Sequence, residues 1–411
     1  MAHHLFRDPC TVQRLHEGPL GPYIDVFAAE MYAEGYAQQS AEFQIRLVAD
    51  FSHWLAKRQI PAPEITAQHF PLYLRARAHY RRPGRSDQAG LKRLWNLLRR
   101  QGVIPEPSVP APTPADQLQA TFRRYLQQER ALAPATLIPH LRFVGEFLTE
   151  RFGAGPVDLS SLCAADVTGF VQRRAAMLRS KRVHLMTTAL RAFLRFARYR
   201  GDLPTDLAAC VPAVANWSLS TVPRALPPSQ VERVLAACNR QTAVGRRDYA
   251  ILLLLARLGL RAGEVAALTL EDLDWQAGWI TVRDKGGRAS QLPLPVEVGE
   301  AIAAYVQTGR PRAASRCVFL RGRAPAVSFK GSPAIGSIVK HALTRAGIES
   351  PRKGAHQFRD SLACQLLRQG ASLAEIGELL RHRSPQTTAL YAKVDVAALA
   401  PLALAWPGGV R

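Results

Sequence analysis

Six residues of types that act on phosphate esters follow one another along the C-terminal half of the chain. They are Arg261, Lys285, His356, Arg359, His382 and Tyr391. Attack on a phosphodiester places extra charge on its non-bridging oxygens, which two guanidinium groups such as Arg261 and Arg359 can hold. Tyr391 suits the nucleophile, because its phenol conserves the energy of the broken bond as a phosphotyrosine. The set predicts strand cleavage on a nucleic-acid backbone.

Cleavage of this kind also needs two proton transfers. The leaving hydroxyl needs a proton, and Lys285, in the "DKGGR" turn of a predicted hairpin, can reach into a groove to supply it. His356 and His382 either hydrogen-bond the phosphate or accept the tyrosine proton. The residue types leave open which histidine does which.

Two acidic residues stand next to the arginines. Glu264 follows Arg261 by one helical turn, and Asp360 follows Arg359 directly. We expect both carboxylates to orient the guanidinium groups and to take no part in bond breaking.

A purely structural interpretation competes with this one for each residue taken alone. Tyr391 is then a helix tyrosine that packs its ring, and His382 caps the preceding turn. The complete ordered set favours the catalytic interpretation, because a His-x-x-Arg motif with a later His and Tyr at these offsets rarely arises by chance.

The order and spacing of the set resemble those of the tyrosine recombinases, the lambda-integrase and Xer-like family. The C-terminal domain of that family carries Arg, Lys, His-x-x-Arg, His or Trp, and Tyr. The resemblance covers about residues 228–395, and residues 116–212 look like the family's helical core-binding domain. It implies a site-specific DNA recombinase, an integrase or transposase of a mobile element, that works through a 3′-phosphotyrosyl intermediate. It also implies that neither a metal nor a nucleotide cofactor is needed.

Two departures from the family pattern stand out. The family usually has Leu-Gly-His-Ser where this chain has Leu380-Arg381-His382-Arg383, and we expect the added cations to tighten contact with the DNA backbone. Most members also lack a module equivalent to residues 19–104. A topoisomerase that acts on one duplex, or a DNA-binding accessory protein with decayed catalysis, are the alternative functions.

The charge balance points to the same class of partner. Lys and Arg total 54 and Asp and Glu total 32, so the formal net charge is 54 − 32 = +22. Such a charge predicts a polyanionic partner, here double-stranded DNA. No apolar run approaches the length of a membrane span and no signal peptide is evident, so we expect a cytoplasmic protein at the bacterial nucleoid. The cysteines and histidines show no spacing typical of a metal site.

The elements that must position these residues are mostly helical. The periodicity predicts a mainly α protein with a small β-hairpin or sheet in the catalytic domain, after two helical-bundle modules. Proline-rich stretches mark the boundaries. The predicted parts are an N-terminal tail (1–18), an extra helical module (19–104), a linker (105–115), a core-binding domain (116–212), a second linker (213–228), a catalytic domain (229–395) and a C-terminal tail (396–411).

The two helical modules look like copies of one unit. The sequence "LKRLWNLLRRQGVIP" (91–105) matches "LRAFLRFARYRGDLP" (190–204), and "IRLVADF" (45–51) matches "LRFVGEF" (141–147). We therefore expect the extra module to bind DNA at flanking or accessory sites, with a protein-contact role as the alternative.

The last helix of the second module is predicted to contact DNA phosphates. Residues 181–200 contain six basic side chains and no acidic one, interleaved with aromatic residues that face inward. The predicted DNA contacts are Lys181, Arg182, Arg191, Arg195, Arg198, Arg200 and, on the hairpin, Arg288.

The C-terminal tail is predicted to assemble subunits. Residues 394–406 are nearly all Ala, Leu and Val, so they need burial against the same domain or against a neighbour. The family resemblance favours a neighbour. It implies a homotetramer on paired DNA sites, in which sister recombinases are possible partners.

Overall fold

The computed structural model describes residues 5–6, 8–105, 111–214, 223, 225–284, 286–350, 353–394 and 401. The chain forms two compact units, one comprising residues 1–107 and 222–411 and the other residues 108–221. Both are built from helices, and a small sheet lies in the C-terminal part of the first unit. The predicted fold class is confirmed. None of the helices within the described ranges is long and apolar enough to cross a membrane.

The N-terminal module packs around its own hydrophobic core. Its described helices are α1 (Pro9–Leu15), α2 (Ile24–Ala33), α3 (Gln38–Ala56), α4 (His69–Arg77) and α5 (Arg85–Arg100). Phe27, Phe51 and Leu94 are fully buried in this core. Because α3 and α5 carry apolar residues three and four positions apart, each presents one continuous face to the core.

Helix α1 lies within residues 1–18, the stretch predicted as an N-terminal tail. The Asp8 carboxylate accepts the backbone N–H groups of Cys10 and Thr11, and Pro9 begins the helix. Val12 and Leu15 lie in the core of the module. This stretch therefore belongs to the module, and a short helix of seven residues was too weakly periodic to show it.

The second unit is a helical bundle with an aromatic core. Its described helices are α6 (Pro114–Gln128), α7 (Pro134–Phe152), α8 (Ala164–Ala175) and α9 (Ser180–Tyr199). Phe122, Phe147 and Phe193 are buried in its centre. Helix α6 begins inside the stretch predicted as a linker, because Thr113 accepts the backbone N–H of Asp116 and caps the helix.

Helices of the two modules correspond in length and in end signals. Helices α3 and α7 each have 19 residues. Helices α5 and α9 are each followed by a glycine with positive φ, Gly102 at 68° and Gly201 at 83°. That backbone conformation favours glycine and ends a helix. The pairing predicted from the sequence therefore holds for these helices.

The C-terminal region carries the catalytic candidates. Its described elements are α10 (Pro228–Ala236), α11 (Ala243–Arg257), α12 (Ala262–Ala267), β1 (Leu273–Asp274), β2 (Trp279–Arg283), β3 (Ala289–Pro293), α13 (Val296–Thr308), α14 (Ser332–Arg345), α15 (His356–Arg368), α16 (Leu373–Leu379) and α17 (Pro385–Ala389). Short 3-10 turns span Gly21–Tyr23, Ala62–Glu64, Leu159–Ser161, Leu270–Asp272 and Leu390–Val394. Helix α11 runs through the centre of this core, with Ile251 to Leu255 fully buried.

The predicted hairpin is present as strands β2 and β3. They pair antiparallel, with Trp279 opposite Pro293 and Arg283 opposite Ala289. A third strand, β1, pairs with β2 and was not predicted, because two residues are too few to show alternation. Helix α12, which follows Arg261, has only six residues and ends at Ala267.

Candidate active site

Arg261 directly precedes α12, and both its backbone N–H and its side chain bond to Glu264. Its backbone N–H and its guanidinium donate to the two carboxylate oxygens of Glu264, each over 2.8 Å. The guanidinium also donates to the carbonyl oxygen of Arg381 over 3.3 Å. Glu264 is buried, so its two oxygens fix the direction of the Arg261 side chain, as the sequence predicted for this carboxylate.

Arg359 is the most buried cation of the described chain, with 2% of its surface exposed. One Nη atom donates to the carbonyl oxygen of Gly259 over 2.5 Å, and the other donates to that of Leu380. Burial, together with the charges of Arg261 and Arg381, lowers the pKa of Arg359 to about 10. The group therefore stays charged at neutral pH.

A glycine permits this arrangement. Gly259 has a φ of 57°, and a Cβ atom there would lie 2.7 Å from Leu380. Any other residue would adopt this backbone conformation at a cost and would press on the side chains of Leu380 and Leu362. The "LGLRAGEV" motif thus supplies a backbone acceptor two residues before Arg261, which sequence reasoning did not anticipate.

His382 lies between α16 and α17 with its ring held in place. Its backbone N–H donates to the carbonyl of Gly377 over 2.9 Å, and its Nδ1 lies in a 2.7 Å hydrogen bond with the buried hydroxyl of Thr388. Burial, then the charges of Arg359 and Arg261, lowers the pKa of His382 to about 4. The imidazole is therefore neutral at physiological pH.

Tyr391 packs directly against this imidazole. The two rings are stacked, with centroids 6.2 Å apart and an angle of 11° between planes. The Tyr391 hydroxyl donates to a carboxylate oxygen of Asp360 over 2.9 Å. Burial and the Asp360 carboxylate raise the pKa of Tyr391, so the phenol is protonated in the free protein. Asp360 was expected to orient Arg359, and it holds the Tyr391 hydroxyl in the structure.

The two remaining candidates are His356 and Lys285. His356 is the first residue of α15 and is exposed, one turn before Arg359 on the same helix. Lys285 lies outside the described residues. The turn around it is held by Asp284, whose carboxylate accepts the backbone N–H of Gly286 over 2.6 Å and the guanidinium of Arg383 over 2.8 Å.

Arg381 and Arg383, which stand where the family pattern has Gly and Ser, both have acidic partners. Arg381 donates to Glu264 over 2.8 Å and is half-buried, so its side chain points into the site. Arg383 pairs with Asp284, which helps to hold the pKa of that carboxyl at about 2. The expectation that the Arg381 side chain reaches the DNA backbone is therefore not supported by its position.

The predicted DNA contacts on α9 differ among themselves. Lys181, Arg182 and Arg195 are exposed, as is Arg288 on the hairpin. Arg198 and Arg200 are exposed but pair with Asp206 and Asp202 over 3.2 Å each. Arg191 instead donates to the carbonyl groups of Val211 and Pro212 over 2.9 Å each. Arg191 thus anchors the segment that follows the bundle.

The structure brings together Arg261, Arg359, His382 and Tyr391, with Glu264 and Asp360 between them. The guanidinium groups of Arg261 and Arg381 share the single carboxylate of Glu264, and the charge of Arg359 lies near both of them. Such an excess of fixed positive charge suits an anionic phosphate. Within the described ranges, no group of three or more His, Cys, Asp or Glu residues is arranged to hold a metal ion.

Comparisons with known proteins agree on one family. Residues 224–397 match the Phage integrase family. The integrase/recombinase y4rA of Sinorhizobium fredii is 49% identical over 400 residues, covering 97% of both chains. The integrase/recombinase y4rF of the same organism is 34% identical and covers 97% of this chain and 94% of its own. The tyrosine recombinase XerC of Anoxybacillus flavithermus is 26% identical and covers 66% of this chain and 91% of its own.

Solved recombinase structures share the fold. The XerH site-specific recombinase bound to its palindromic difH substrate has a TM-score of 0.54 at 14% identity, covering 72% of this chain and 98% of its own. A lambda integrase dimer bound to a core site has a TM-score of 0.52 at 15% identity, covering 67% of this chain and 94% of its own. This chain therefore belongs to the tyrosine recombinase family, the phage integrases and their relatives, which cut and rejoin DNA.

Proposed function

We propose that the protein is a site-specific recombinase of a mobile element that cleaves DNA with Tyr391. The observation that carries the proposal is the buried cluster in which backbone carbonyls hold Arg359 beside His382 and Tyr391. A cation fixed before the substrate arrives stabilises charge that develops in the transition state without reorganising. The names of the relatives, integrase/recombinase, support the role in a mobile element.

In the proposed reaction Tyr391 replaces one phosphate ester bond by another. The phenol oxygen forms a bond to phosphorus as the bond between phosphorus and the 5′ oxygen breaks. The phenol proton passes to a base, and the leaving 5′ oxygen takes a proton, which we assign to Lys285. Rejoining reverses these steps on a new strand, so the reaction needs no energy source and no oxidant.

The remaining side chains divide the work around the phosphate. Arg261 and Arg359 hold the non-bridging oxygens, while His356 and His382 hydrogen-bond the phosphate or receive the tyrosine proton. Burial and the neighbouring arginines keep His382 neutral in the free protein, which favours its role as a hydrogen-bonding partner of the phosphate. All these groups belong to the chain, and we expect cleavage to persist in the presence of a chelator.

The helical modules are proposed to bind the flanking DNA. Two matched contacts support a shared design. Arg77 pairs with Asp50 over 2.7 Å in the N-terminal module, and Arg174 pairs with Glu146 over 3.7 Å at the corresponding positions of the second. Deletion of residues 1–114 should lower the salt dependence of binding and leave cleavage of a minimal site intact. An unchanged salt slope would assign the N-terminal module to protein contact.

The C-terminal tail, residues 396–411, lies outside the described residues apart from Pro401. From its apolar sequence we propose that it docks on a neighbouring subunit and builds a tetramer on paired DNA sites. A protein truncated after residue 394 should bind one site normally and fail to pair two. Normal pairing of two sites by this truncated protein, measured by native gel shift, would disprove the role of the tail.

The experiment that tests the function selects the target sequence from random DNA. The substrate is a library of duplexes, each nicked so that cleavage releases a short strand. Each duplex carries a randomised stretch of about 30 base pairs, close to the length of DNA that two adjacent binding modules cover. Covalent protein–DNA adducts are isolated in denaturant and sequenced. We expect adducts of one sequence class with wild-type protein and none with Tyr391→Phe. Adduct formation by the Tyr391→Phe protein would overturn the mechanism.

A further inference from the structure

Arg381 occupies a backbone conformation that a residue of its type rarely adopts. Its φ is 54°, in the left-handed region that favours glycine. Only two other described non-glycine residues, Gln59 and Ala131, share a positive φ, and both belong to the helical modules. A side chain held in such a conformation at a functional site needs compensating contacts.

Some of those contacts are local, since the Arg381 guanidinium donates to the carbonyl of Leu379 over 3.4 Å, and the others lead to Arg261 and Arg359. The Arg381 guanidinium donates to Glu264 Oε2, while Arg261 donates to Glu264 Oε1. The Arg381 carbonyl accepts a second hydrogen bond from Arg261. The preceding residue, Leu380, offers its carbonyl to Arg359. One turn therefore holds both phosphate-binding candidates.

Loss of Arg381 would change the hydrogen bonding of the Glu264 carboxylate. Its side chain is 4% exposed, and one carboxylate oxygen accepts both the Arg261 backbone and the Arg381 side chain. Removal of Arg381 leaves this oxygen with only one of its two hydrogen bonds. The carboxylate can then rotate toward the Arg261 guanidinium and draw it away from the phosphate.

We propose that Arg381 is a positioning residue for strand cleavage, which fixes Glu264 and through it the guanidinium of Arg261. The inference rests on the proposed function, because it requires Arg261 to bind the scissile phosphate. It differs from a DNA contact in a measurable way. A positioning residue changes the rate of cleavage, whereas a phosphate contact changes the affinity for DNA.

The first measurement is the single-turnover rate of adduct formation on one nicked duplex recovered from the randomised library. Glycine fits the left-handed backbone, so Arg381→Gly keeps the turn and removes the side chain with its hydrogen bonds to Glu264 and Leu379. We expect this variant to cleave about tenfold more slowly at saturating DNA, as is typical of a misplaced catalytic group. Its dissociation constant should stay within about twofold, since no phosphate contact is lost.

Two further variants separate positioning from general stability. Arg381→Lys restores a cation. It should recover about half of the loss in the logarithm of the cleavage rate, because an ammonium makes one directed contact where a guanidinium makes two. Arg247 supplies the matched control. It is also buried and pairs with an acid, Asp248, but its other partner is the carbonyl of Leu320. Arg247→Ala should lower the melting temperature and leave the cleavage rate of folded protein unchanged.

The decisive comparison measures the effect of Arg381→Gly with and without the Glu264 carboxylate. In a Glu264→Gln background the effect of Arg381→Gly on the rate should fall below about twofold, because both changes break the same path to Arg261. An undiminished tenfold effect in that background would overturn the proposal, as would a loss of affinity at an unchanged rate. If the wild-type protein forms no adduct, or Tyr391→Phe still forms one, the proposed function fails instead.

Discussion

Arg359 in the candidate active site and Arg195 on α9 are held in opposite ways. Arg359 is buried, and backbone carbonyls of two loops grip both its Nη atoms. Arg195 lies exposed on α9, where water and salt surround it. A guanidinium fixed by the fold is oriented before DNA binds, whereas an exposed one must give up side-chain freedom on binding. The first kind suits rate enhancement and the second suits affinity.

The largest expected effect in this comparison comes from Arg359→Ala. The substitution removes a preorganised charge from the phosphate, so we expect single-turnover cleavage to slow by about a thousandfold or more. The affinity for DNA should change by less than about threefold, since one contact among many is lost. Parallel measurements of cleavage and of binding by fluorescence anisotropy check both parts. A large loss of affinity would place Arg359 with the exposed arginines.

The next effect concerns the proton that the leaving group receives. We expect Lys285→Ala to slow cleavage of an ordinary phosphodiester by about a hundredfold, the usual contribution of a general acid. A substrate with a 5′-thio leaving group needs no proton, so the variant should cleave it at nearly the wild-type rate. Equal losses on the two substrates would remove Lys285 from the acid role.

A smaller effect on the cleavage rate is expected from Asp360, which lies beside the proposed nucleophile Tyr391. Asp360 accepts the hydrogen bond of Tyr391, and its negative charge raises the pKa of that phenol. Asp360→Asn removes the charge, so the pKa of Tyr391 should fall and the rising limb of the pH–rate profile should move to lower pH. On that limb the rate should increase by up to about tenfold, equivalent to one pH unit. A rate that falls at every pH would instead identify Asp360 as the base.

The smallest expected effects come from substitutions of two arginines on α9. Arg195→Ala should lower the slope of log affinity against log salt by about 0.9, the value for one phosphate contact. Arg191→Ala should leave that slope unchanged and destabilise the unit by about 1–3 kcal/mol, because the Val211 and Pro212 carbonyls lose their donor. Salt titrations and thermal melts of the same two proteins make the measurement. A reduced salt slope in Arg191→Ala would show that its guanidinium leaves the carbonyls to bind DNA.

Residue type and spacing predicted the mainly helical fold and named Arg261, Arg359 and Tyr391, which the structure brings together, because residue order and helical period both leave local signals in the sequence. The order of Arg261, Arg359 and Tyr391 is visible in one dimension, as is the 3.6-residue period of the helices. The carbonyls that hold Arg359 belong to Gly259 and Leu380, which are separated from it by 100 and 21 positions. Backbone acceptors at such distances leave no trace in residue identity.

Two other features escaped prediction for a similar reason. A run of basic residues on α9 shows charge, but it does not show that Arg191 turns toward a neighbouring segment. The residues "LRHR" show a departure from the usual glycine, but they do not show the positive φ of Arg381 or its ion pair with Glu264. Tertiary contacts decide both outcomes, and only a three-dimensional structure supplies them.

The most direct test of a preorganised cationic site uses a substrate whose scissile phosphate group carries no negative charge. Replacing one non-bridging oxygen of the scissile phosphate by a methyl group gives a neutral methylphosphonate, whose transition state needs less positive charge. The wild-type protein and Arg359→Ala are compared on both substrates under single-turnover conditions. We predict a loss of about a thousandfold on the phosphodiester and of less than about tenfold on the methylphosphonate, as charge stabilisation requires. Equal losses on the two substrates would contradict the view that Arg359 acts by stabilising charge on the phosphate.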